Sequence, residues 1–159
     1  MVRSELTIRR AADADGPELL ALVRIAMAVY ARNSGISAVL ESQLETLDDM
    51  LAHIHSDVVY VAERRGRLVG TVRLVCGEDG SAYFCRFAVL PDVQRGGVGK
   101  EIYRTAENYL RSQGMRTVRL HTALTNKPLV AFYEARGFRL IEESTGRGYP
   151  RGTFQKDLE

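Results

Sequence analysis

The spacing of apolar residues changes period several times along the chain, and each change marks an element. Leu6-Thr7-Ile8-Arg9 alternates with period two and predicts a first strand. Leu19, Leu22, Val23, Ala26, Met27 and Tyr30 then recur at helical spacing. Asp13 or Asp15 can cap that helix, Pro17 suits its first turn, and Asn33-Ser34-Gly35 ends it. Leu40, Leu44, Leu47 and Leu51 predict one second helix, whose other face carries Glu41, Glu45, Asp48 and Asp49. That acidic face reads either as a solvated surface or as an attraction for a cationic substrate. Strands are predicted at Val58 to Ala62, Leu68 to Cys76 and Tyr83 to Leu90. The turns Arg65-Gly66-Arg67 and Gly77-Glu78-Asp79-Gly80 join them into an antiparallel meander.

Ile102, Ala106, Tyr109 and Leu110 define the face of a further helix, with Gly114 as a left-handed cap after Gln113. Val118 to His121 is a short strand. Asn126 and Pro128 open a helix on which Leu129, Phe132 and Tyr133 share a face, and Gly137 closes it. Phe138 to Ile141 and Thr153 to Leu158 are the last strands, on either side of a loop from Gly146 to Gly152.

The junction after the meander carries the chemistry. Pro91 stops the strand, because proline cannot donate to a ladder. Gln94-Arg95-Gly96-Gly97-Val98-Gly99-Lys100 then leads into the helix. A strand, a Gly-rich turn and a helix N-terminus aim free N–H groups and the positive end of a dipole at one spot, which suits phosphate. A Walker A loop would need glycine at Gln94 and Ser or Thr at Glu101. The dinucleotide fingerprint would need glycine at Ile102. What remains is Q-x-x-G-x-G, and this resembles the acyl-CoA motif of the GNAT superfamily of N-acyltransferases. A second block, Asn126 to Phe138, looks like that superfamily's N-x-x-x-x-x-F-Y-x-x-x-G-F segment, matched without a gap.

The element order β-α-α-β-β-β-α-β-α-β-β is also that of the superfamily, so the resemblance covers essentially the whole chain. It implies an α/β (α+β) fold: a single domain over residues 1–159, with a mixed central sheet of about seven strands and helices on both faces. It implies that acetyl-CoA wedges between the strands ending at Val89 and His121. Backbone groups of Phe87, Ala88 and Val89, left without a sheet partner, would bond the pantetheine arm. The N–H groups of Arg95, Gly96, Gly97, Val98, Gly99 and Lys100 would hold the pyrophosphate. The Val89 N–H would stabilise the developing oxyanion.

Asn126 reads as a helix N-cap, as a pantetheine ligand, or as both. Tyr133 stands where the family places the acid that protonates the leaving thiolate; its plain alternative is a core aromatic. His121 reads either as the base for the acceptor ammonium or as a strand-end histidine, with Glu63, Glu78 and Arg86 as weaker candidates and a water relay as a further route. The acceptor site would be shaped by Tyr30 to Ile36 and by Ser144 to Gly152, where Arg147 and Arg151 either read a carboxylate or are solvated. The implied function is direct acetyl transfer, through a ternary complex, to a primary amine of a small molecule or peptide. The alternative is a non-catalytic acyl-CoA binding or sensing module.

Composition narrows this only slightly. At 159 residues and 45% hydrophobic, the chain has the size of one domain with a sizeable core. With 22 basic and 20 acidic residues, nothing points to a nucleic-acid or membrane partner. Met1-Val2-Arg3-Ser4-Glu5 shows no secretory signal. In the predicted hairpin Cys76 lies near Ser81 and Cys85 near Val72, too far apart to bridge, so a reduced, cytoplasmic protein is expected. No Cys/His cluster has metal-ligand spacing, so no metal is expected. The chain would act as a monomer or homodimer.

Overall fold

A computed structural model describes residues 5–37 and 40–158, without the side chains of residues 41, 42 and 95. The expectation about a leader rests on residues 1–4, which lie outside the described residues. Seven strands occur among the described residues: β1 (Leu6–Arg10), β2 (Val58–Arg64), β3 (Arg67–Cys76), β4 (Ser81–Val89), β5 (Thr117–Ala123), β6 (Arg139–Ser144) and β7 (Arg151–Asp157). They form one sheet in the order β1-β2-β3-β4-β5-β7-β6. The β4–β5 pair is parallel and every other pair is antiparallel, so the expected mixed sheet is present. Cys76 lies opposite Ala82 and Cys85 opposite Arg73, and both thiols are free.

Helices cover both faces. They are α1 (Gly16–Asn33), α2 (Glu41–Leu44), α3 (Leu47–Ser56), α4 (Val98–Ser112) and α5 (Lys127–Glu134). β3 shows why its sequence is apolar almost throughout. A Cβ on Gly70 would strike Ile102 and Val98 of α4, while Arg73, of opposite parity, reaches Glu45 and Met50. The period-3.6 face of α4 is buried as predicted at Ile102, Ala106 and Leu110, joined by Val98 and Tyr103. Each large apolar side chain so buried contributes about 1.5–3 kcal/mol. Among the described residues no helix is long and apolar enough to cross a membrane.

The second helix departs from expectation. Leu40, Leu44, Leu47 and Leu51 do not share one helix: the chain is extended at Glu45 (ψ 134°), and α3 starts afresh behind Thr46. Thr46 Oγ1 accepts the Asp49 N–H at 3.1 Å, and Asp49 Oδ2 accepts the Thr46 N–H at 3.0 Å, closing a capping box. Leu44 faces solvent as a result. Asp48 and Asp49 are exposed, as a solvated face requires, but Glu45 is buried. The first helix also differs in its cap. Asp15 makes no side-chain cap on α1; it accepts the Ala12 N–H at 2.7 Å and grips Arg9 with both oxygens.

Candidate active site

The site begins at an irregularity in β4. Thr71 lies opposite Ala88 and Arg73 opposite Cys85, so Val72 alone faces both Arg86 and Phe87. This is a β-bulge, and Arg86 stands in it at φ 50°. An arginine in that left-handed region is disfavoured by roughly 1–2 kcal/mol. Glu45, buried at the break between α2 and α3, offsets this. Its carboxylate accepts from Arg73 Nη2 at 2.9 Å and Arg86 Nε at 3.4 Å. Bulges bend a strand and raise its twist. Parallel pairing of β4 with β5 accordingly stops after Ser81–Thr117, Ala82–Val118 and Tyr83–Arg119. Beyond Tyr83 the two strands face a gap.

The ladder with β3 decides which β4 groups look into that gap. Leu90 N–H donates to Val69 O at 2.9 Å. Antiparallel alternation then directs Ala88 to Thr71 and turns the Val89 backbone toward β5. Of the three residues expected to lack sheet partners, Ala88 therefore has one across the ladder. The Val89 carbonyl accepts from Gln94 Nε2 at 3.2 Å, which ties the start of the Gly-rich loop to the strand end.

The loop itself is a 3-10 turn, Pro91–Gly96, followed by Gly97 at φ 78° and then α4. No heavy atom lies within 4 Å of a Cβ placed on Gly97, so its glycine serves backbone conformation and leaves the loop face open. Gly99 has a different reason: a Cβ there would sit 3.3 Å from the Phe87 ring. Glu101 N–H is bonded to Gly97 O at 3.1 Å. The N–H groups of Val98, Gly99 and Lys100 precede the first intrahelical bond and point out of the helix end. An open cradle of free N–H groups fits a pyrophosphate.

Behind Phe87 lies a cavity of about 130 Å³. Tyr133 and His121 both line it, so the two candidate catalytic residues share one space. Tyr133 is buried, edge-on to Phe84 at 6.0 Å and Phe138 at 5.8 Å. Burial pushes its pKa far above the ordinary tyrosine value, so the hydroxyl keeps its proton. His121 is half-buried, with Nδ1 3.3 Å from Thr153 Oγ1 and its ring edge-on to Tyr83 at 5.3 Å. Burial first, then the charges of Arg151 and Arg147, lower its pKa to about 4. Glu63 is instead paired with Arg9 at 2.9 Å, and neither Glu63 nor Glu78 lines the cavity.

Asn126 does cap α5: its Oδ1 accepts the Leu129 N–H at 3.3 Å. Its Nδ2 also donates to Ser34 Oγ at 3.1 Å, fastening α5 to the end of α1. An amide has two donors and two acceptor lone pairs, so one of each remains for a ligand. The expected acceptor segments do converge here, through Tyr30 on one side and Arg147, Tyr149 and Arg151 on the other. The sequence reading missed Tyr83 and Cys85 as cavity walls and Glu45 as the anchor of Arg86; only the pairing of β4 reveals them.

Comparison with known proteins points to one family and one fold. The model of the Acetyltransferase (GNAT) family matches residues 20–138. Mycothiol acetyltransferase of Streptomyces coelicolor is 35% identical over 95 residues, 58% of this chain and 31% of that protein. The curated mycothiol acetyltransferases are thus matched over about a third of their length. The fold matches PaiA N-acetyltransferase from Thermoplasma acidophilum in complex with coenzyme A at TM-score 0.83, 18% identity, covering 96% of this chain and 98% of that one. It also matches yncA, a putative acetyltransferase from Salmonella typhimurium with its cofactor acetyl-CoA, at TM-score 0.78 and 17% identity, over 97% and 94% of the two chains.

Proposed function

The chain belongs to the Acetyltransferase (GNAT) family, and from that premise we propose that it is an enzyme that moves an acetyl group from acetyl-CoA directly to a primary amine within a ternary complex. The observation that carries this reading is the gap between β4 and β5, which has an open N–H cradle at one end and Tyr133 with His121 at the other. Acetyl-CoA supplies an activated thioester. The N–H groups from Arg95 to Lys100 hold its pyrophosphate, and Phe87, Val89 and Asn126 line the path of its arm. The Val89 N–H faces the reacting carbonyl as an oxyanion donor. Tyr133 gives its proton to the departing sulfur; the burial that holds that proton also makes a bare thiolate costly.

His121 has a different part from the one its ordinary pKa suggests. With a pKa of about 4 it is neutral at working pH and a weak base. It accepts a hydrogen bond from the incoming amine or from a water. The acceptor sheds its ammonium proton to solvent before attack. The proton that nitrogen releases after attack leaves through that water, as the phenolate left on Tyr133 takes a proton back. The protein works in the cytoplasm, where its two cysteines stay reduced.

Titration calorimetry with acetyl-CoA tests the cradle. Gly97→Glu places a bulky anion on the open face of the loop and should weaken binding at least tenfold while circular dichroism stays native. A folded variant that binds like wild type would remove the loop from the site. CoA release with an amine panel tests the chemistry: tight acetyl-CoA binding with no transfer to any amine would make the protein a sensing module.

A further inference from the structure

The cavity beside Tyr133 and His121 has a one-sided charge. Arg86, Arg147 and Arg151 line it, and no aspartate or glutamate does among the described residues. Arg151, at the start of β7, makes no ion pair among the described residues. Arg86 shares the single carboxylate of Glu45 with Arg73, so that cluster of three keeps a net charge of +1. Most of the remaining wall is aromatic or apolar, including Tyr83, Phe87 and Leu129, with Cys85, His121 and Thr122 set among them. Such walls lower the local dielectric and lengthen the reach of each charge.

Taking the acetyltransferase reading above as its basis, we propose that the acceptor is a small amine that also carries an anionic group, a carboxylate or a phosphate, held by Arg151 with help from Arg86. Guanidinium is suited to this task, because its planar fork matches the oxygens of either anion with paired hydrogen bonds. A polyamine or another polycation is excluded by the same field. The cavity, about 130 Å³, is of a size to receive the functional end of a small molecule. The low pKa of His121 reports the same field from inside the cavity, since Arg151 and Arg147 both contribute to it. Among the described residues the expected acidic face offers no counterweight for a cation: Glu45 is committed to its arginines, and Asp48 and Asp49 do not line the cavity.

The test is a kinetic comparison within matched sets, made with the full chain. Each set holds an α-amino acid, its uncharged amide, the decarboxylated amine and an aminoalkyl phosphate of similar size. The anion-bearing members should show kcat/KM at least tenfold above the amide and the bare amine; which anion leads identifies the source. Arg151→Gln should lower kcat/KM for the anionic acceptors about 10–100-fold, mostly through KM, and for the amide less than threefold. Acetyl-CoA affinity, measured by calorimetry, should stay within threefold. Preference for the bare amine, or equal losses for acid and amide in Arg151→Gln, overturns the proposal.

If no member of any set is acetylated, calorimetry of the same acids and phosphates with CoA-saturated enzyme decides instead. Binding that Arg151→Gln abolishes upholds the anion site and sinks the catalytic reading. Absence of binding sinks the anion site. Failure of acetyl-CoA itself to bind is a separate result and refutes the enzyme reading alone.

Discussion

His121 shows how environment reassigns a residue whose identity suggests a simple role. The sequence offers a base titrating near ~6.5. Burial and two arginine charges move it to about 4. If the acceptor's own ionisation governs the reaction, kcat/KM should rise across pH 6–9 along the acceptor's pKa. It should move when a less basic amine replaces a more basic one, and the limb should persist in His121→Ala. A limb near pH 6.5 that disappears in His121→Ala would restore the histidine as base. Stability carries the same signature. Between about 6.5 and about 4 the unfolded chain binds a proton that the folded chain does not, so stability falls as pH falls through that window. Urea unfolding at pH 7 and pH 5 should show a steeper loss in wild type than in His121→Ala.

Tyr133 is the complementary case, because its block was legible down to the residue. Tyr133→Phe keeps the ring among Phe84, Phe87 and Phe138 and removes only the hydroxyl with its proton. Turnover should drop ~10²–10⁴-fold with acetyl-CoA affinity retained. Single-turnover kinetics would check it, and an unchanged chemical step would reduce Tyr133 to packing.

At the level of elements, local signals were readable and pairing-dependent ones were not. Periodicity located every strand and most helices to within a few residues, since it reports which face is buried. It failed at Leu40 to Leu51, where four leucines at helical spacing outweighed a readable capping box, Thr46-Leu47-Asp48-Asp49. The bulge at Arg86 had no local signal at all, because it exists only as two residues of β4 against one of β3. These two features meet in Glu45. Among the described residues it is the only acid within reach of buried Arg73 and of Arg86. Removing it strands a buried guanidinium, and breaking such a pair typically costs ~3–5 kcal/mol. Glu45→Ala should therefore lower the urea midpoint sharply, while Asp48→Ala on the exposed face should barely move it. Equal, small effects would mean that Glu45 belongs to the solvated face after all.

The whole molecule is two antiparallel blocks, β1 to β4 and β5 to β7, joined in the sheet by three parallel residue pairs at Ser81–Tyr83 and Thr117–Arg119. Helix α4 reinforces this seam from one face, where Glu107 meets Lys156 of β7 at 2.7 Å. At the far end, where β4 and β5 diverge, the sheet lacks its own closure, and a pantetheine arm that bonds Val89 would supply it. Ligand binding should then stabilise a specific place as well as the total. With acetyl-CoA at 100 times its Kd, mass action adds ~2.7 kcal/mol, or about 5–10 °C in Tm for a chain of this size. Hydrogen exchange should slow most at Phe87 to Leu90 and at the N–H groups of residues 97–100, and far less in β6 and β7, which lie beyond the gap. Uniform slowing across both blocks would mean that the ligand merely shifts global unfolding. Slowing confined to residues 97–100 would mean that only the phosphates are held, leaving the gap between the strands open and Val89 without its partner.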